Sequence, residues 1–314
     1  MKALIVGAAG FVGSYLIQHL TTTYDWEIHA TKLPNENLSV SDIHVHDLNI
    51  LNIDEIRELF TKLKPDYIFH LAAQSSVALS WNNPQITVDI NIKGTLNILD
   101  TIRALDDYSP RILLIGSGEE YGYILPDETP VNEQVTPRPG NIYAATKACQ
   151  NMLGNIYYRA YGMQLIMVRA FNHIGPNQTS VFVASDFCKQ VAEIEAGKKK
   201  PILHVGNLSA KRDFTDVRDV VRAYGLLIQH GKAGETYNIG SGHAIAIQEL
   251  LDTILSLSHA NITVEIDVAR LRPSDIPIIK ADIHKVHTAT GWTPEIPLEQ
   301  TLLETLNYWR GTLS

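Results

Sequence analysis

Three side chains in the middle of the sequence have the types and spacing needed to move a proton to or from a substrate oxygen. Tyr143 and Lys147 are four positions apart, so on a helix both side chains lie on one face. Ser117 follows the apolar run Arg111–Ile115, which is typical of a buried strand. A free tyrosine has a pKa of about 10, and a neighbouring ammonium favours its phenolate. These residues predict acid–base chemistry at a carbonyl or alcohol, with Ser117 holding the oxygen.

A cluster of glycines near the start of the chain predicts a second site. The apolar run Ala3–Val6 leads directly into a G-x-x-G-x-x-G segment, and apolar residues at helical spacing follow. Glycines at these spacings permit a tight turn, close approach of a pyrophosphate and close packing of helix on strand. The helix N-terminus presents free N–H groups and a partial positive charge to the phosphates. We therefore expect a dinucleotide here, bound by Gly7, Gly10, Phe11, Val12 and Gly13.

The end of the second predicted strand bears on the choice of cofactor. An NAD site prefers a carboxylate there, which binds the ribose 2′-hydroxyl. The sequence instead has Lys32, which could pair with a 2′-phosphate, although a solvated loop charge is the simpler interpretation. NADP(H) is therefore favoured, with NAD(H) as the alternative. Asp47 and Leu48 follow the third strand and are expected to meet the adenine. A turn or cap role for Asp47 is equally compatible with the sequence.

Alternating strands and helices must position these residues. Further buried strands are predicted at Glu27–Ala30, Tyr67–Leu71 and Leu165–Val168, with helical spacing between them. This alternation predicts an α/β fold, a Rossmann-type doubly wound parallel sheet. After about residue 170, loops richer in Pro, Gly and Asn indicate a smaller C-terminal α/β substrate lobe, while Thr236–Ile239 reads as a strand that rejoins the first sheet. The expected domains are 1–170 plus about 214–240 for the cofactor, and about 171–213 plus 241–314 for the substrate.

Composition argues against several other classes of function. The 314 residues carry a formal net charge of −8, which disfavours a nucleic-acid or anionic-membrane partner. No apolar run approaches the roughly 20 residues that span a bilayer. Cys149 and Cys188 fit no metal spacing and indicate free thiols in a reducing compartment. His44 and His46 could form a metal pair, but no third ligand is evident nearby in the sequence, so no metal is expected. We expect a cytoplasmic enzyme.

Together these motifs resemble those of a known family. The glycine segment, His70-Leu71-Ala72-Ala73, Ser117, Tyr143-x-x-x-Lys147 and segment 212–219 (RDFTDVRD) are similar to the extended short-chain dehydrogenases/reductases, over essentially the whole chain. Segments 116–122 (GSGEEYG), 169–176 (RAFNHIGP) and 271–275 (LRPSD) are similar to the GDP-mannose branch of that family. The resemblance implies cofactor contacts from Leu71, Ala72, Ala73, Tyr143 and Lys147. It also implies that a GDP-sugar is bound by Asn172, Arg212, Arg272 and Asp275.

The GDP-mannose branch contains 4,6-dehydratases and 4-ketoreductases, and the residues around Glu119 bear on the difference. In the dehydratases the corresponding glutamate is a base and follows a hydroxyl or acid residue. Here it follows Gly118, which cannot donate a proton. An arginine-rich loop typical of the dehydratases is also missing after Lys32. The resemblance therefore implies NAD(P)H-dependent reduction of GDP-4-keto-6-deoxy-D-mannose to GDP-D-rhamnose or its 4-epimer, GDP-6-deoxy-D-talose. Glu119 then serves as a catalytic electrostatic or hydrogen-bonding group, or as a structural carboxylate.

Two other functions stay open at this point. A 4,6-dehydratase or 4-epimerase would keep its cofactor tightly bound and would need no added reductant. A non-catalytic protein on the same fold is disfavoured because Ser117, Tyr143 and Lys147 are all present. The resemblance also implies a homodimer formed through the helices that contain Lys93–Leu105 and Tyr143–Tyr161.

Overall fold

Strands and helices alternate through the first half of the chain, as the sequence pattern predicts. The computed structural model describes residues 1–38, 40–270 and 276–313. Its strands are β1 Lys2–Val6, β2 Glu27–Lys32, β3 His44–Asp47, β4 Tyr67–His70, β5 Arg111–Ser117, β6 Gln164–Ala170, β7 Asn172–Ile174, β8 Ile202–Val205, β9 Lys211–Asp216, β10 Thr236–Ile239, β11 Ala244–Ala246 and β12 Thr263–Ile266. Its α-helices are α1 Phe11–Thr23, α2 Ile53–Leu63, α3 Val77–Asn82, α4 Pro84–Val88, α5 Gly94–Arg103, α6 Ile142–Tyr161, α7 Val183–Glu195, α8 Val217–His230, α9 Ile247–Ser256, α10 His284–Thr290 and α11 Leu298–Leu313.

Seven parallel strands form the main sheet, in the order β10-β6-β5-β4-β1-β2-β3. The predicted doubly wound parallel sheet is confirmed. The strand at Thr236–Ile239 pairs with β6, as its apolar pattern predicts. The strand order runs outward from β1 in both directions, so β1 and β4 are neighbours at the point where the order reverses. In such sheets ligands bind in the crevice beyond the carboxyl ends of these strands.

Both faces of the main sheet are covered by helices. In β1, Ala3 and Ile5 pack in the apolar cluster that contains residues of α1 and α8. Leu4 and Val6 point the other way, into the cluster that contains residues of α2 and α5. All four side chains are fully buried. Burial on both faces explains why the strands read as continuous apolar runs, and each large buried side chain contributes about 1.5–3 kcal/mol.

A separate apolar cluster lies in the later part of the chain. It is built from α7, α9 and α11 together with β8 and β9, and it includes Phe187, Leu250 and Leu302. Two small sheets, β11-β9-β7 and β12-β8, belong to the same region. Because β7 begins two residues after β6 ends, the three-stranded sheet adjoins the carboxyl ends of the main sheet. Within the described ranges, every helix is too short or too polar to cross a bilayer.

Candidate active site

Ser117 is the last residue of β5, so the strand extends two residues beyond the apolar run that predicted it. Its side-chain oxygen accepts a hydrogen bond from the backbone N–H of Glu119 at 3.2 Å, which begins a short 3-10 turn. Its own backbone N–H donates to Glu120 Oε1 at 2.9 Å. Ser117 is 8% exposed. The side chain and the backbone of Ser117 are therefore each held by one hydrogen bond at the carboxyl edge of the sheet.

Tyr143 lies in the first turn of α6 and is almost fully buried. Asn141 is the N-cap of this helix, and its side-chain oxygen accepts the N–H of Ala144 at 2.8 Å. Burial raises the pKa of Tyr143, and the neighbouring Ser117 hydroxyl acts in the opposite direction as a hydrogen-bond partner. The structure therefore brings Ser117 and Tyr143 together, with the phenol held in its protonated form.

Lys147 is buried one turn after Tyr143, but its ammonium is turned toward β5. Its Nζ donates to the backbone oxygen of Ile115 at 2.7 Å and to Gln150 Oε1 at 3.1 Å. Burial lowers the pKa of Lys147 to about 8, while the charge of Glu120 raises it. The sequence predicted that the Lys147 ammonium lowers the pKa of Tyr143. In the structure, burial instead raises the pKa of the phenol, and the ammonium donates to a strand carbonyl.

A buried ion pair beneath Ser117 was not identified from the sequence. Arg169, in β6, donates its Nε to Glu120 Oε2 at 2.9 Å, and both side chains are nearly inaccessible. The guanidinium also lies over the ring of Tyr121, 4.5 Å from its centre. Burial raises the pKa of Glu120 to about 7, against the lowering effect of Arg169. No spacing rule links residues 49 positions apart, so pairing of β5 with β6 was needed to find this contact.

Glu119 lies beside the start of α6. Its Oε2 accepts a hydrogen bond from Asn141 Nδ2 at 3.2 Å, so one asparagine caps the helix and holds this carboxylate. The preceding Gly118 faces the ring of Phe171. A Cβ at this position would lie 3.0–3.2 Å from three ring carbons. A side chain at position 118 would therefore need Phe171 to move.

The three glycines of the β1–α1 turn have different structural roles. Gly7 has φ +83°, and a Cβ there would lie 2.5 Å from the Cα of Ala72. A Cβ at Gly13 would lie 2.0 Å from the backbone oxygen of Ala8, so this glycine permits close packing of helix on strand. At Gly10 a Cβ would meet only one atom, at 3.9 Å, and the first turn of α1 contains no acidic residue and no side-chain cap. The turn therefore fits a dinucleotide diphosphate lying over Gly10.

Residues around this turn frame the same crevice. Leu71 and Ala72 follow β4 and donate their backbone N–H groups to the oxygen of Val6, and Ala73 comes next. Phe11, at the start of α1, stacks on the ring of His173 with centroids 6.2 Å apart. Because His173 lies in β7, this contact joins the glycine turn to the segment that carries Asn172. Val12 packs against the apolar cluster shared by α1 and α8.

Lys32 and Asp47 are the last residues of β2 and β3 and form an ion pair. Lys32 Nζ lies 2.6 Å from Asp47 Oδ1 and 3.2 Å from the oxygen of Leu33. The neighbouring Leu48 donates its N–H to the oxygen of Lys32 at 2.9 Å and is buried. The parallel register of the two strands brings these side chains together. The Lys32 ammonium and the Asp47 carboxylate therefore lie next to each other at the carboxyl edge of the sheet.

The structure describes two of the four residues predicted to bind the substrate. Asn172 begins β7 and pairs in register with Phe214 of β9. Arg212, also in β9, is 8% exposed and donates to the backbone oxygens of Lys211 and Ile276, at 2.9 and 2.7 Å. Ile276 is the first described residue after segment 271–275 in the sequence. Arg272 and Asp275 themselves lie outside the described residues.

Three aspartates of segment 212–219 hold the later elements in place. Asp213 accepts backbone N–H groups from Ser241, Gly242 and Ala281. Asp216 caps α8 and accepts the hydroxyl of Thr301 at 2.7 Å. Asp219 accepts the N–H groups of residues 295 and 296 at 2.9 and 2.8 Å. From the sequence, these three aspartates were evident only as part of a family signature. Its carboxylates connect loops and helices that are distant in sequence.

The fold and these groups are those of a Rossmann-type enzyme of the short-chain dehydrogenase/reductase class. Two solved structures illustrate the similarity. RMD from Pseudomonas aeruginosa, solved in complex with NADPH, is 32% identical with a TM-score of 0.88, covering 99% of this chain and 100% of that one. UDP-glucose 4-epimerase from Thermotoga maritima, solved with UDP-glucose, is 26% identical with a TM-score of 0.90, covering all of both chains.

Sequence comparison gives the family within that class. The family model for GDP-mannose 4,6-dehydratase matches residues 4–305. The chain is 33% identical over 310 residues to the GDP-6-deoxy-D-mannose reductase of Pseudomonas aeruginosa. The aligned region covers 99% of this chain and 97% of that protein. The chain belongs to the GDP-mannose 4,6-dehydratase family. The resemblance to the extended short-chain dehydrogenases/reductases and to their GDP-mannose branch is thereby confirmed.

Proposed function

We propose that the protein reduces the 4-keto group of GDP-4-keto-6-deoxy-D-mannose with NADPH, giving GDP-D-rhamnose or its 4-epimer, GDP-6-deoxy-D-talose. The observation that carries this proposal is that Tyr143 and Lys147, both buried on α6, lie against the carboxyl end of β5 that carries Ser117, where Lys147 Nζ donates to the Ile115 oxygen at 2.7 Å. The similarity to a GDP-6-deoxy-D-mannose reductase over the whole chain supports the choice of substrate. Asn172 and Arg212, with Arg272 and Asp275, are the residues proposed to bind the GDP-sugar.

The crevice between β1 and β4 fits a dinucleotide cofactor. Gly10 leaves open space above an uncapped helix N-terminus, where a diphosphate finds free N–H donors. Lys32 supports NADPH over NADH, because its ammonium at the end of β2 can pair with a 2′-phosphate. The similar structure of RMD contains NADPH. Asp47 and Leu48 are proposed to contact the adenine, and Leu71, Ala72 and Ala73 to line the adjoining cofactor wall.

The chain's own residues supply the proton chemistry. NADPH bound in the crevice would supply the hydride for the carbonyl carbon. Ser117 donates a hydrogen bond to the carbonyl oxygen and orients it. Tyr143, which is protonated because burial raises its pKa, donates the proton that the new alkoxide needs. The resulting phenolate requires a nearby positive charge, and we propose that Lys147 leaves the oxygen of Ile115 to supply it and to hold the nicotinamide ribose.

The surroundings of Glu119 support reduction over dehydration. Elimination of water needs both a base and an acid. The residue before Glu119 is Gly118, which has no proton to donate, and Phe171 closes the space that a longer side chain would use. Glu119 is itself held by Asn141. We assign Glu119 an electrostatic and hydrogen-bonding role near the sugar.

The remaining features of the proposal concern assembly. We propose that residues 1–170 and about 214–240 form the cofactor domain, and about 171–213 with 241–314 the substrate lobe.

We propose a homodimer in the cytoplasm, formed through α5 and α6. Met152 and Ile156 support this interface, because these apolar side chains are one turn apart on α6 and more than half exposed. Light scattering should give twice the chain mass, and Met152→Glu with Ile156→Glu should give the monomer mass.

Cofactor oxidation tests the reaction directly. Purified protein is mixed with NADPH, or with NADH in parallel, and GDP-4-keto-6-deoxy-D-mannose, and the absorbance of the reduced nicotinamide is followed. We expect stoichiometric oxidation with the ketosugar and none with GDP-mannose. Tyr143→Phe should abolish it, whereas Tyr161→Phe, an exposed tyrosine on the same helix, should not. Conversion of GDP-mannose to the ketosugar without net oxidation would instead establish a dehydratase.

A further inference from the structure

Four ionisable side chains lie together on one face of β2 and β3, apart from the residues assigned to catalysis. Glu27 and His29 alternate along β2, and His44 and His46 alternate along β3. The parallel register places His29 directly opposite His44. Since side chains two residues apart on a strand share a face, all four project to the same side. The sequence showed only the histidine pair of β3, because its partners come from a strand about 17 residues earlier.

The donor atoms of three of these residues are close enough to share one ion. Glu27 Oε1 lies 2.9 Å from His29 Nε2 and 3.8 Å from His44 Nε2. One donor atom from each of the three residues lies within 4.8 Å of the other two. With zinc–nitrogen bonds of about 2.0–2.1 Å, donors of a tetrahedral site are about 3.4 Å apart. Small side-chain rotations would therefore convert this cluster into three ligands of one cation.

His46 supports the orientation of His29. Its Nε2 lies 2.9 Å from His29 Nδ1, on the ring edge opposite the one that faces Glu27. Metal-binding histidines usually donate their second ring N–H to a fixed acceptor, which orients the ring. His29 is 5% exposed, so its position is further fixed by packing.

We propose that Glu27, His29 and His44 bind a divalent transition metal of the zinc type, with His46 as a positioning residue and solvent completing the coordination. Two imidazoles and one carboxylate suit zinc or cobalt better than magnesium or calcium, which prefer oxygen ligands. Glu27 and His44 are exposed, so an ion can enter from solvent. Lys2 and Lys62 add positive charge nearby and moderate the affinity.

The ion would join the short edge strand β3 to β2. β3 has four residues and lies at the end of the main sheet, next to β2. The same two strands end at Asp47 and Lys32. A bound metal would therefore stabilise the edge of the sheet that carries these two side chains. The inference does not rest on the proposed function, since it concerns metal binding alone.

Cobalt titration of untagged protein tests the site, because tetrahedral Co²⁺ absorbs strongly in the visible region. We expect one Co²⁺ per chain, displaced by Zn²⁺, and a higher unfolding temperature with metal. Glu27→Gln and His44→Ala should each weaken binding about tenfold or more, whereas His259→Ala, an exposed histidine elsewhere, should not. Circular dichroism checks that the variants are folded. The proposal is overturned if wild-type protein gives no such spectrum, or if both variants bind as wild type does.

Discussion

The carboxylate of Glu120 lies between Ser117 and Arg169, accepting the backbone N–H of one and the guanidinium of the other, each at 2.9 Å. The position of Ser117 therefore depends on a buried ion pair behind it. The pair connects β6, which contains Arg169, to the turn that follows β5. Its carboxylate also raises the pKa of Lys147, so one side chain influences two members of the proposed catalytic group.

Glu120→Ala should destabilise the protein and slow catalysis. The change leaves the Arg169 charge buried without its partner, which typically costs about 3–5 kcal/mol of unfolding free energy. Glu120→Gln should cost less, because it keeps an acceptor for the Ser117 N–H and burial already raises the pKa of Glu120 to about 7. Urea unfolding near pH 7 measures both, with the exposed Glu58→Gln as control. Equal stability of the alanine variant and wild type would contradict the structural role.

The proposed reductase activity should decline as pH rises through about 8. Burial lowers the pKa of Lys147 to about 8, and above this pH the ammonium needed to stabilise the phenolate is lost. This decline, the alkaline limb of the pH profile, should appear in kcat/KM for NADPH, which reports the ionisation of the enzyme without bound cofactor. Glu120→Gln should move it to lower pH, because the carboxylate raises the pKa of Lys147. Lys147→Arg should give low activity without this limb. A limb near 10 in the wild type would count against the assignment.

Gly10→Ala and Gly13→Ala should separate cofactor binding from folding. An alanine methyl fits at position 10 in the free protein but would occupy the space proposed for the diphosphate. We expect the Kd for NADPH to rise about tenfold or more, as expected for lost charge-assisted hydrogen bonds, with unfolding free energy changed by less than about 1 kcal/mol. At position 13 the methyl would meet the oxygen of Ala8, costing about 1–3 kcal/mol of stability. Fluorescence titration and urea unfolding give the two quantities. Similar effects in both variants would refute the distinction.

Substitutions of Lys32 and of Asp47 should change the preference for NADPH over NADH in opposite directions. Lys32→Ala should weaken NADPH about tenfold to hundredfold and leave NADH nearly unchanged, because only NADPH has a 2′-phosphate to pair with the ammonium. Asp47→Asn releases Lys32 from the ion pair of 2.6 Å and should tighten NADPH. The ratio of the two Kd values in each variant is the measurement. An unchanged ratio after Lys32→Ala would remove this lysine from the cofactor site.

The sequence predicted those parts of the fold that depend on local pattern. Continuous apolar runs identified the buried strands, and four-residue spacing placed Tyr143 and Lys147 on one face of a single helix. Most of the contacts that it missed join residues far apart in the chain. Glu120 meets Arg169 only through pairing of β5 with β6, and Asp213 reaches Ala281 across 68 residues. The direction of the Lys147 ammonium depends on an available carbonyl at Ile115, which no spacing rule specifies.

The position of β10 has a consequence for synthesis of the protein on the ribosome. This strand, Thr236–Ile239, completes the main sheet next to β6, which ended at Ala170. Until the nascent chain has emerged past Ile239, β6 is an unpaired apolar edge, and α8 is not yet available to cover α1 and its side of the sheet. Exposed edges of this kind attract other strands. Stalled or truncated translation products ending between β6 and β10 should therefore aggregate or occupy chaperones, and ribosome-bound chains should become protease-resistant only late in synthesis.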